Sequence, residues 1–134
     1  MSSGWRPIVI GGIYWINDDK ISMPPETNRL NHPRRMVLVV SGPSNGDPAW
    51  PLVQIMPLSS QSTRKTRWCV KINAGQGNVE RKCWVRIPLS QPILKADLQD
   101  QVGVLPEALL LHVQANMAAY HGLEDEDEED DPKG

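Results

Sequence analysis

The sequence predicts a mainly β domain, a small and strongly bent sheet or barrel capped by one C-terminal helix. Three observations point there. Short runs of β-branched and aromatic residues recur between stretches of turn chemistry. The apolar spacing changes to a helical period after Leu105. No run of about 18 apolar residues occurs, so nothing is expected to span a membrane.

The elements follow in order. Ile8–Asn17, IVIGGIYWIN, reads as a first strand with a bend or bulge at Gly11–Gly12. Asp18–Pro33 is polar and proline-bearing, so it is expected as a long loop. Met36–Val40 reads as a second strand, with Arg34 and Arg35 at its mouth. Gly42–Pro48, GPSNGDP, is turn chemistry throughout. Pro51–Pro57 is a third strand, followed by the polar, basic turn Ser59–Thr66. Arg67–Asn73 alternates, with Trp68, Val70 and Ile72 on one face. Ala74–Asn78 is a hairpin loop, and Lys82–Leu89 a fifth strand ended by Pro88. Pro106–His121 is rich in helix formers, with proline in the first turn and Gly122 just past the end. Leu105, Leu109, Val113, Met117 and Tyr120 make its apolar stripe.

The 134 residues fit one domain, expected over residues 1–123. The net charge of −2 hides an asymmetry. Glu124–Gly134 holds eight acidic residues and one lysine, a charge of −7, which leaves +5 for residues 1–123. A block of like charge this dense repels itself, so 124–134 is expected to be a disordered acidic tail. It serves solubility or masks the basic face from polyanions. The N-terminus lacks a basic region followed by a long apolar stretch, so no signal peptide is expected and the cytoplasm is the expected compartment. Cys69 and Cys83 form no CxxC pair and read as two plain core cysteines.

Several chemistries lack their residues. His32, His112 and His121 belong to no HxxxH, HExxH or Cys/His cluster, so neither a metal nor a cofactor is expected. There is no GxxxxGK and no GxGxxG between a strand and a helix, and no GxSxG elbow. What remains is a constellation at strand ends: Arg34 and Arg35 before the second strand, Ser59 and Ser60 after the third, then Arg64, Lys65 and Arg67. Brought to one rim, guanidinium forks and hydroxyls would converge on a phosphate, whose oxygens match arginine two at a time. A ribonuclease that needs no metal requires little more: a cation for the charge on the equatorial oxygens and a group that helps move a proton. Trp15, Trp50, Trp68 and Trp84 are core aromatics or stacking faces for unpaired bases.

On these residues the chain, from about Gly11 to Leu123, resembles the MazF/PemK/Kid family of bacterial toxin ribonucleases. GGIYWIN looks like the family's opening strand, and RRMVLVVS like its R-P-x-L-V-aliphatic-S segment, with Met36 where proline is common. VQIMPLSS is similar to the strand that ends in P-x-S/T-S, and VGVLPEALLLHVQANMAAYHGL to the C-terminal helix. The resemblance implies an SH3-like barrel of about five to seven strands, shared with CcdB, and a homodimer that cuts single-stranded RNA and is neutralised by a cognate antitoxin. By position it implies that Arg35 and Ser59 are catalytic, with Arg34, Ser60, Arg64, Lys65, Arg67 and Gln91 contacting RNA. Gln91 stands where many members carry arginine, and Leu94 where they carry aspartate. The alternatives are a CcdB-like toxin that poisons a topoisomerase by binding it, and an RNA-binding module of this fold that no longer cuts.

Overall fold

The structure, a computed structural model, describes residues 8–23, 33–41, 50–60 and 67–122. The expected turn at Gly42–Pro48, most of the basic turn before Arg67, and the acidic tail lie outside these residues. Seven strands and one helix make up the described chain: β1 (Gly12–Asn17), β2 (Arg34–Ser41), β3 (Leu52–Ser59), β4 (Val70–Ile72), β5 (Cys83–Val85), β6 (Gln91–Leu94), β7 (Leu98–Val104) and α1 (Glu107–Tyr120). Neighbouring strands run antiparallel in the order β4-β5-β3-β2-β1-β7, with β6 also paired to β3. Among the described residues β4 and β7 are not joined, so the sheet is bent rather than closed.

β3 carries the bend. Its first half, Leu52–Ile55, pairs with β6, and its end, Leu58–Ser59, pairs with β5. Pro57 stands at the changeover, where a residue with no N–H loses no ladder bond on that edge. Its carbonyl instead accepts the Arg86 N–H at 2.9 Å.

β2 reads as a continuous apolar run because both of its faces are covered. Leu38 and Val40 enter one core with Ile13, Met56, Leu58, Val85 and Val113. Val37 and Val39 enter a second core with Tyr14, Ile16, Ile55 and Ile93. The helix closes the first core: Val113 is fully buried, and Leu109, Leu110 and Met117 pack beside it. Tyr120, at the end of the stripe, is exposed and meets the edge of Trp68, with ring centroids 5.7 Å apart.

Several boundaries differ from expectation. Ile8–Gly11 precedes β1, because Gly11 turns at φ 93°, a left-handed value open to glycine. β2 begins at Arg34, since Asn17 and Ile16 extend the ladder to pair with Arg34 and Arg35. β3 runs on through Pro57 to Ser59. Arg67 and Trp68 form a turn before β4. β5 ends at Val85, and Pro88 sits in a 3-10 turn over Ile87–Leu89, where its fixed φ fits. β6 and β7 have no counterpart among the five strands read from periodicity. Both cysteines are free, Cys83 buried and Cys69 half-buried.

Candidate functional site

Consecutive strand residues point to opposite faces, so the adjacent arginines of β2 separate. Arg34 joins the face of Met36 and Leu38. There its guanidinium lies over the Trp15 ring, 4.6 Å from the centroid, and its Nη1 donates to Gln99 Oε1 at 3.2 Å. Gln99 in turn donates to Asn17 Oδ1 at 2.9 Å, so three strands hold this arginine in place.

Arg35 joins the opposite face, that of Val37. Its Nε donates to Asp18 Oδ1 at 2.8 Å, and both side chains are about one-tenth exposed, at 10% and 11%. Asp18 opens a 3-10 turn directly after β1, and its own N–H donates to the Pro33 carbonyl at 3.0 Å. The register of β2 on β3 pairs Val37 with Pro57 and Leu38 with Met56. That ladder ends two residues short of Arg35 and Ser59, and Ser59 pairs with Trp84 of β5. Ser59 is buried at 5% exposure, whereas Ser60 is exposed on the other face.

A cleft of about 580 Å³ opens at this end of the sheet. Trp15, Arg34, Arg35 and Ser60 form one wall, and Arg81 and Lys82, in the connection from β4 to β5, form the other. Four cationic side chains and one carboxylate, that of Glu80, line it. Such a cleft concentrates positive potential over a volume that fits a phosphodiester and a base. Asn78 shapes the second wall: its backbone is left-handed at φ 69°, and its Nδ2 donates to the Val102 carbonyl at 2.9 Å.

The remaining expected residues are placed elsewhere. Gln91 is spent on the chain after Asp18. Its Oε1 accepts from the Ser22 N–H at 2.8 Å, while its Nε2 donates to the carbonyls of Ser22 and Leu89, each at 2.9 Å. This amide acts as a clasp on the loop and does not line the cleft. Arg67 stacks on Trp68 at 4.1 Å, away from the cleft. Arg64 and Lys65 lie outside the described residues. Of the tryptophans, Trp84 is core, Trp15 and Trp68 are half-buried beneath guanidinium groups, and Trp50 is exposed.

Asn78, Arg81 and Lys82, which line the cleft, and Asp18, which holds Arg35, are not singled out by sequence reasoning. The only signal for Arg81 and Lys82 is a pair of cations just before an apolar run. Among the described residues, no group of three or more His, Cys, Asp or Glu side chains is placed to hold a metal ion. No helix there is long and apolar enough to cross a membrane.

Comparison with known proteins places this geometry. Residues 10–120 match the sequence profile of a family described as "PemK-like, MazF-like toxin of type II toxin-antitoxin system". No curated protein sequence matches the chain. Among solved structures, an endoribonuclease in complex with its cognate antitoxin from Mycobacterial species superposes with a TM-score of 0.65 at 17% identity, over 88% of this chain and 98% of that one. A MazE–MazF complex from Deinococcus radiodurans gives 0.65 at 18% identity, over 89% and 99%. The Mycobacterium tuberculosis toxin MazF-mt6 gives 0.64 at 20% identity, over 90% and 100%. At such identities these likenesses show the fold.

Proposed function

Since the chain belongs to the PemK-like, MazF-like toxins of type II toxin-antitoxin systems, we propose that it is an endoribonuclease that cuts single-stranded RNA with protein groups and no metal. The observation that carries this reading is a cleft lined by Arg34, Arg35, Arg81 and Lys82, with the buried Ser59 between two residues, Leu58 and Ser60, that line it.

The reaction suited to such a site is transesterification. The ribose 2′-oxygen attacks the adjacent phosphorus and the bond from phosphorus to the 5′-oxygen breaks. The 2′-hydroxyl proton leaves and a proton arrives on the departing 5′-oxygen. Negative charge builds on the equatorial oxygens, and Arg35, fixed by Asp18 before substrate arrives, is the group that meets it. Ser59 holds or relays a proton at the scissile phosphate. Arg34 and Ser60, on the cleft wall, position the neighbouring backbone, and Trp15 offers a face to an unpaired base. Arg81 and Lys82 draw the strand in by charge. Gln91 serves this site by holding the chain after Asp18, and Arg64, Lys65 and Arg67 add positive charge that attracts RNA.

Among the similar structures, toxins of this fold are found in complex with antitoxins, and we read this chain the same way. It acts as a homodimer in the cytoplasm, where its substrate is, and is held in check by a cognate antitoxin. A toxin that works by protein binding alone has no need of a cleft lined by Arg34, Arg35, Arg81 and Lys82. The test is incubation of the purified protein with mixed-sequence single-stranded RNA in EDTA. Discrete cleavage supports the reading, and intact RNA at high protein concentration refutes it.

A further inference from the structure

We propose that Asp18 is a positioning residue for Arg35. It never touches RNA but fixes the plane and direction of the guanidinium, an inference that rests on the ribonuclease reading above. A bond to Nε stops rotation about the last single bond of the arginine side chain, so the planar fork is aimed before the phosphate arrives. In the structure that bond is 2.8 Å long, between side chains about one-tenth exposed, where water competes little.

Asp18 is itself held from both sides. Its N–H donates to the Pro33 carbonyl, one residue before Arg34, and its carbonyl accepts the Ile21 N–H at 3.4 Å. The ladder from β1 to β2 pairs Ile16 with Arg35 and Asn17 with Arg34, which brings the first residue after β1 beside the arginine pair. The Asp18 carboxylate thus ties the chain that follows β1 to the guanidinium of β2.

The arrangement also has a direction. Arg35 reaches the cleft wall and Asp18 does not line the cleft. The carboxylate lies behind the guanidinium, so it orients the cation without presenting a like charge to the phosphate. A preset fork needs no reorganisation as the charge develops, so its benefit falls on the chemical step and not on binding.

The test is single-turnover cleavage of single-stranded RNA in EDTA by Asp18→Asn, made in the native chain and in Arg35→Ala. A residue that acts through Arg35 lowers kcat about tenfold or more in the native chain, with KM moved less than about twofold, and changes little where Arg35 is already gone. A Tm scan confirms that each variant folds. Should Asp18→Asn not fold, Asp18→Glu keeps the charge but misplaces it by one methylene, and is expected to show the same kcat loss. Loss of the same factor in both backgrounds, or a change confined to KM, overturns the inference and leaves the ribonuclease standing. A native protein that cuts nothing overturns both. The Arg35 Nε–H resonance reads the contact without RNA: it exchanges slowly in the native protein and is expected to exchange faster in Asp18→Asn. An unchanged exchange rate contradicts the positioning role.

Discussion

The guanidinium of Arg34 lies over the indole of Trp15, 4.6 Å from its centroid, on the wall of the cationic cleft. The ring restrains the cation, and in the proposed function it also stacks a base. Trp15→Ala removes both effects. A cation–π contact at a partly exposed site contributes about 0.5–1 kcal/mol, and a stacked base about 1–3 kcal/mol. RNA affinity measured by fluorescence anisotropy is therefore expected to fall by roughly tenfold or more, while Trp15→Phe retains most of it.

Arg81 and Lys82 supply charge from the opposite wall. Arg81→Ala and Lys82→Ala are expected to weaken binding similarly for all RNA sequences. Removing one cation from a phosphate lowers the slope of log affinity against log salt by about 0.7 on a single strand. A salt titration of the two variants checks this, and an unchanged slope places the RNA elsewhere.

Gly103 in β7 packs directly on the turn that carries Gly77 and Asn78. A Cβ at Gly103 would collide with the Gly77 carbonyl and come within 2.8 Å of the Asn78 Cβ. The obstacle is backbone, which yields little. Gly103→Ala is expected to lower unfolding stability by about 1–3 kcal/mol, the range for overpacking. Urea denaturation reads the loss, and because Asn78 borders the cleft, RNA affinity should fall with it.

Burial pushes the Cys83 thiol up from 9.0 to about 11. The thiolate is the reactive form, so iodoacetamide should label Cys83 slowly in the folded protein at pH 8 and quickly after unfolding. The sign for stability follows. The folded thiol holds its proton more tightly than the unfolded one, so its contribution is intact below about pH 9 and is lost as pH rises toward about 11. A Cys83→Ala variant should show a flatter stability curve across that window.

Much of this structure is legible in the sequence, for physical reasons. The stripe Leu105, Leu109, Val113 and Met117 marks helix α1 within a residue at each end, because a helix on a core must repeat near 3.6. The run from Met36 to Val40 marks β2, because a strand covered on both faces has no polar side to hide it. β6 and β7 escape such reading because their patterns are weak. Gln91–Leu94 contains Pro92, and Leu98–Val104 holds two glutamines, an aspartate and a glycine, with one buried residue.

At the candidate site, the sequence singles out Arg34, Arg35, Ser59 and Ser60 but not how they stand. Two adjacent arginines suggest one doubled charge, yet strand alternation sends Arg34 to Trp15 and Arg35 to Asp18. Asp18 is 17 residues from its partner, and no local period links them. The resemblance implies an RNA contact for Gln91, but its donors and acceptor are taken up by Ser22 and Leu89, a pairing that only the folded chain creates.

The most direct measurement is the single-turnover cleavage rate of one single-stranded RNA in EDTA by the native protein, Arg35→Ala, Ser59→Ala and Ser60→Ala. The account predicts losses of about 100-fold or more for Arg35→Ala and Ser59→Ala, comparable to removing one group that stabilises developing charge. Ser60→Ala should lose less and mainly in affinity, because Ser60 lies on the opposite face of β3 and lines the cleft with Arg34. Full activity in Arg35→Ala, with the RNA still cut at the same positions, would contradict the assignment of this end of the sheet as the reacting site.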